Sequence, residues 1–203
     1  MIRPIILLIL LGLASAPAIA SDGPGIAAVR AGNQAITALL KQKVAPGSAE
    51  EKALAAKVTE SVKSLIDIDE LGKRAMADHW AKLTAAQQRE FLATLRGLIS
   101  DNYVKGLRAN LEYTVDYTGE STSPDGDVLV TTAIHTKRHN RPYTIEVSYV
   151  LRNLGGKLRA WDVKTDGVGL VENYRIQFNK IVEKDGFAGL IAKMKKKRSE
   201  QGT

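Results

Sequence analysis

The residues of this chain that could do chemistry are few, and their spacing argues against most of it. There are three histidines, His79, His135 and His139. His135 and His139 stand four apart, an interval that puts two imidazoles on one helix face for zinc, but here the pair spans a strand end and a turn. His79 adjoins Trp80 with no paired carboxylate motif. Asp67, Asp69 and Glu70 cluster, yet at a helix start carboxylates satisfy free amides and favour the positive dipole end, which is the simpler account. No glycine-flanked serine nucleophile and no phosphate-cradling loop is present. Gly167-Val168-Gly169 lacks the third glycine of a dinucleotide fingerprint and reads as a strand-to-helix turn needing unusual backbone angles. The expectation is a protein with no catalytic residues, no metal ligands and no covalent chemistry.

Two features without chemistry remain. Tyr143, Ile145, Val147, Tyr149 and Leu151 alternate on one strand and are followed by Trp161 and Val163 on the next. Such a face belongs either to an ordinary core or to a cavity left open for apolar ligands, and periodicity does not separate the two. The C-terminal cluster Lys193, Lys195, Lys196, Lys197 and Arg198 has two readings as well. It is a solvated helix end favoured by the negative dipole terminus, or it docks on anionic headgroups or an acidic partner surface.

The elements that must position these residues follow from period and punctuation. Residues 24–44 read as a helix with Ile26, Val29, Ile36, Leu40 and Val44 on one side, stopped by Pro46-Gly47. Ser48 with Glu51 makes a capping box for a helix carrying Leu54, Val58, Val62 and Leu65. Asp67 with Glu70 opens a short helix to about Asp78, and Thr84 with Gln87 launches the longest one, through Phe91, Leu95, Leu98, Ile99 and Tyr103. After Leu111 the period drops to two, and turns at 123–126, 139–142 and 153–157 separate four alternating runs. The expected architecture is α+β: a twisted four-stranded antiparallel meander, wrapped by N- and C-terminal helices, with a concave inner face.

Residues 1–20 read as a secretory signal, with Arg3, a short apolar run and the small-x-small site Ala18-Ile19-Ala20. The apolar run is shorter than the roughly 20 residues a spanning helix needs. Cleavage would leave 183 residues, 21–203, as a single domain, and losing Arg3 would lower the formal net charge from +7 to +6. The alternative is an uncleaved amphipathic anchor. The chain has no cysteine, so neither disulfides nor a lipoprotein anchor is expected. The expected location is the periplasm. A basic surface then favours anionic lipid or acidic protein over nucleic acid.

Order, spacing and residue types resemble a known family. The segments are His79-Trp80-Ala81-Lys82-Leu83-Thr84 with Gln87-Gln88-Arg89-Glu90-Phe91, Trp161-Asp162-Val163, Gly167-Val168-Gly169-Leu170-Val171, Asn173-Tyr174-Arg175 with Gln177-Phe178, and Gly189-Leu190-Ile191-Ala192-Lys193. Together, from about Ile66 to Lys197, they resemble the Mla-type, or toluene-tolerance, family of periplasmic phospholipid-shuttle proteins. Gly169 stands where the family commonly has serine, and Ala77-Asp78 replaces its Leu-Gly before the His-Trp pair.

That resemblance implies a phospholipid held by its tails in an apolar cavity with the headgroup outside. The cargo would be the only bound group. The implied lining has Tyr143, Ile145, Val147, Tyr149, Trp161 and Val163 on a sheet wall, with Val130, and Phe91, Leu95, Leu170, Tyr174 and Phe178 opposite, with Tyr103. Implied partners are an outer-membrane lipoprotein complex and an inner-membrane ABC transporter with a ring-forming lipid-binding subunit, served by a monomeric carrier that helps keep outer-membrane lipid asymmetry. A hopanoid carrier, a periplasmic hydrolase on the same scaffold and a structural adaptor are the alternatives.

Overall fold

The computed structural model describes residues 22–45, 47–109 and 112–201, with side chains described except at 102–109 and 201; the expected signal segment and its cleavage site lie outside them. The helices begin where side chains satisfy their free amides. α1 (Pro24–Leu40) opens on proline, whose missing N–H is no loss in a first turn, and it stops short of the expected Val44. α2 (Ala49–Leu65) starts at Ser48, whose Oγ accepts from Glu51 N at 3.1 Å, while Glu51 reaches back to Gly47 N at 2.7 Å. Asp67 accepts from Glu70 N at 3.3 Å and opens α3 (Ile68–Met76). At Ala77, with φ 43, α3 gives way to a 3-10 helix (Ala77–Lys82), so the short helix is broken before the expected Asp78. Thr84 and Gln87 exchange both bonds of a capping box, at 3.3 and 2.9 Å, and launch α4 (Ala85–Ala109).

The sheet is a meander in sequence order, β1 (Thr114–Thr122), β2 (Val128–Arg138), β3 (Arg141–Leu154), β4 (Lys157–Thr165) and β5 (Val168–Gly169), every pair antiparallel. It has five strands where four were expected. Asp166 and Gly167 take positive φ and fold the chain back, so that Val168 and Gly169 pair with Thr165 and Lys164 before α5 (Leu170–Gln201) begins. Asp162, buried in β4, accepts from Val171 N at 3.1 Å and fixes that start.

One face of the sheet is covered by helix. α1 lies so close to β2 that a Cβ on Gly25 would stand 2.6 Å from Val128 Cγ1. α3, α4 and α5 pack on one another, and α3 and α5 reach the sheet at β4, where Ile66 bridges Ala160 and Asp67 N donates to Ala160 O at 2.7 Å. The buried apolar side chains of all these elements form one continuous cluster, from Val29 and Val58 through Phe91, Leu95 and Phe178 to Val130, Val147 and Leu151. α5 is interrupted at Gly186, whose φ 69 and ψ −177 are outside the helical range.

Candidate functional site

The register fixes which side chains share the helix-facing side. Val130 pairs with Tyr149, which pairs with Val163; Thr132 pairs with Val147, Ile134 with Ile145, and Thr136 with Tyr143. Along this face burial declines from one end to the other. Val130, Val147 and Tyr149 are buried, Ile134 and Ile145 are half-buried, and Tyr143 is 38% exposed. β2 and β3 are 11 and 14 residues long, so they outrun the helices and carry an apolar row from the core to the surface. The row includes polar groups that are satisfied locally: Thr132 Oγ1 donates to Val147 O at 2.8 Å. Burial pushes the Tyr149 hydroxyl up to about 12, with Asn33 of α1 partly offsetting it.

The opposite wall is aromatic. Phe91 of α4 meets Phe178 of α5 edge-on at 5.5 Å between ring centroids, and Tyr174 stacks on Phe178 at 5.2 Å. Trp80 closes on Phe91 from the 3-10 helix at 6.2 Å. Leu95 and Phe91 are fully buried, while Leu170 and Tyr174 remain half-buried. Burial of Tyr174 raises its pKa as well. Ile145, Val163, Leu170 and Tyr174 are therefore the partly covered margin of a cluster whose centre is filled.

The side chain of Tyr103 lies outside the described residues. Trp161 sits at the margin of the core cluster where β4 bulges: Val150 faces Asp162 and Leu151 faces Ala160, leaving Trp161 as the extra residue. Its Nε1 donates to Asp127 at 3.2 Å, and the Arg74 guanidinium lies 4.0 Å above its ring. Asp127, nearly buried, also takes both arms of Arg152 at 2.7 and 2.8 Å. A small hollow of about 140 Å³ adjoins this group, between Trp161, Arg152, Arg159 and Glu70. Asp127 was missed in the sequence, although Asp125-Gly126-Asp127 marks a turn.

A wider groove of about 410 Å³ opens between α1 and β1, lined by Arg30, Asn33, Thr37, Lys41, Tyr113 and Tyr117 among others. Thr37 and Tyr113 share a 2.8 Å hydrogen bond across it, and the Arg30 guanidinium sits 4.1 Å over the Tyr117 ring. Its phenols alternate over residues 113–117, but nothing in their spacing tells which helix covers them.

The C-terminal cations are largely engaged within the chain. Lys193 pairs with Asp185 within α5 at 2.5 Å, while Lys195 with Glu90 at 2.7 Å and Arg198 with Asp101 at 2.7 Å tie α5 to α4. Lys196 stands 3.9 Å from Glu200, and Lys197 has no ion pair among the described residues. Of the candidate chemical groups, His135 bridges strands, with Nε2 3.0 Å from Asp116 and Nδ1 3.0 Å from Thr144 Oγ1 on the outer face. Asp67 and Glu70 serve the start of α3, and Asp69 takes Arg96 at 2.5 Å. Among the described residues no group of three or more histidine, cysteine or carboxylate side chains could hold a metal, and no helix is long and apolar enough to cross a membrane.

The architecture has known counterparts. The phospholipid-binding protein from Ralstonia solanacearum, solved in complex with a phospholipid, matches 90% of this chain and 100% of its own length at 20% identity, with a TM-score of 0.70. At that identity the likeness concerns the fold. No curated protein matches the chain. The family model described as MlaC protein matches residues 30–196, and with most of its length inside that match the chain belongs to the MlaC family.

Proposed function

We propose that the protein is a phospholipid carrier that holds acyl chains between the helix-facing side of the sheet and the α4–α5 wall, and passes the lipid between membrane complexes without covalent chemistry. Membership in the MlaC family is the observation that carries this reading. The phospholipid bound to the similarly folded Ralstonia protein supports it. The apolar row from Val147 through Ile145 to Tyr143 supports it too, because it gives tails a continuous path between surface and core. Entry would displace contacts at the half-covered margin, Ile145, Val163, Leu170 and Tyr174, more readily than at the filled centre around Leu95 and Leu151.

Two acyl chains carry roughly 30 methylenes, so exposing them to water would cost on the order of 25 kcal/mol. A protein that keeps them covered lets transfer between complexes run close to isoenergetically. The partners on this reading are an outer-membrane lipoprotein complex and an inner-membrane transporter, and the place is the periplasm, reached through cleavage after Ala20. The test is extraction and mass spectrometry of protein purified from a Gram-negative periplasm. Stoichiometric phospholipid is expected; an empty chain, or one loaded with a polycyclic lipid, would overturn the reading.

A further inference from the structure

We infer that the tip of the β2–β3 hairpin is the element that docks this protein on an anionic phospholipid bilayer. The tip is a two-residue loop, His139-Asn140, with both residues at positive φ, closed by the pair Arg138 and Arg141. Between Thr136 and Thr144 the chain has Lys137, Arg138, His139 and Arg141 and no acidic residue. All four are exposed, and among the described residues Lys137, Arg138 and Arg141 have no ion pair. On the neighbouring strand Asp116 is held by His135 at 3.0 Å, while Glu112 meets this hairpin through its main-chain oxygen, 3.2 Å from Thr136 Oγ1.

Two relationships point to a bilayer. Arg138 and Arg141 face each other directly across the ladder, and like charges so placed oppose strand pairing. A surface of phosphates relieves that repulsion. By register both arginines also stand on the helix-facing side, next to the 38% exposed Tyr143, over whose ring Arg138 lies at 5.8 Å. Cations followed by an exposed phenol and then Ile145 and Val147 reproduce the order of a membrane interface, where arginine and tyrosine sit at headgroup level above an apolar layer. An acidic protein surface would satisfy the arginines but would not set the surface end of the apolar row against acyl chains. The C-terminal cations, by contrast, are largely spent on Asp185, Glu90 and Asp101.

The proposal rests on the carrier reading, which brings the protein to membrane faces beside the complexes it serves, and its test keeps the two separable. Purified protein is mixed with vesicles of phosphatidylcholine alone or with phosphatidylglycerol, and binding is measured by co-sedimentation at low and physiological salt. Binding to the anionic vesicles only, weakening with salt, is expected. Arg138→Gln with Arg141→Gln should lower that affinity on the order of 30-fold, at about fivefold per cation near an anionic surface. The charge-matched pair Lys196→Gln with Lys197→Gln should change it far less. Wild-type protein that ignores phosphatidylglycerol, equal losses in the two double variants, or a tip variant that keeps vesicle affinity while losing an acidic protein partner would each overturn the proposal. Lipid extraction from the same samples separates the readings. A loaded variant that fails to dock supports docking by the tip, whereas an empty wild type that still docks sinks the carrier reading alone.

Discussion

Glu120 of β1 closes the first turn of α1: its carboxylate accepts from Ile26 N at 2.8 Å and from Gly25 N at 3.1 Å, joining residues 94 and 95 positions apart. A carboxylate at a helix N-terminus satisfies free amides and meets the positive end of the dipole. Glu120→Ala is expected to destabilise the fold by about 1–2 kcal/mol. In thermal unfolding that is a drop of roughly 2–8 °C for a domain of this size. Glu120→Gln, which keeps one acceptor, should lose less, and equal melting of the alanine variant and wild type would refute the cap.

Val147→Glu tests where the tails go. The change places a carboxylate on the helix-facing row, where burial costs several kcal/mol or forces the group to take up a proton. On the carrier reading the folded fraction of this variant comes out of the periplasm without phospholipid. Trp161→Phe should stay loaded, because Trp161 points to Asp127 and Arg74 instead, and it should lose only about 1 kcal/mol with its hydrogen bond. An empty Trp161→Phe protein, compared by extraction and mass spectrometry, would put that ring back among the lipid contacts.

Tyr149 makes the fold sensitive to alkali. Its folded pKa lies near 12 against an ordinary 10.0, so the fold favours the neutral phenol. The associated stability is complete below pH 10 and is lost as pH rises from there through about 12. A shift of two units corresponds to about 3 kcal/mol. Tyr149→Phe should therefore flatten stability against pH in this window, as measured by urea unfolding. An unchanged slope would mean that the hydroxyl ionises at its ordinary pKa.

Gly186 is the joint of α5. Its φ 69 and ψ −177 lie in a region essentially reserved for glycine. Gly186→Ala should cost on the order of 1–3 kcal/mol, read by thermal melting. A more stable variant would show that the joint straightens without penalty.

Much of this fold is legible in the chain because local chemistry and burial agree. Thr84 and Gln87 announce α4, Ser48 and Glu51 announce α2, and the alternation at 143–151 gives β3 and its inner face. The misreadings lie where one residue changes direction. The bulge at Trp161 reverses which face that ring uses, and an alternating pattern does not reveal a missing partner on the next strand. β5 is only two residues long and is defined by pairing rather than by composition. Asp185-Gly186 is a turn dipeptide inside a helical period, and the period hides it. The basic C-terminus looks free in sequence because Glu90 and Asp101 are about a hundred residues away. The wall residues follow from periodicity, but their gradient of burial depends on β2 and β3 outrunning the helices, a comparison of lengths between elements.

The two edges of the sheet differ in a way that bears on self-association. At the β4 edge Ile66 pairs with Ala160 and Val168-Gly169 with Lys164 and Thr165, so the chain itself covers parts of that edge. At the β1 edge the register slips between Tyr117 and Gly119, breaking the flat ladder another strand would need. Edges treated in this manner resist templated growth into fibrils. A protein with so much half-covered apolar surface can then be concentrated without its sheets joining end to end.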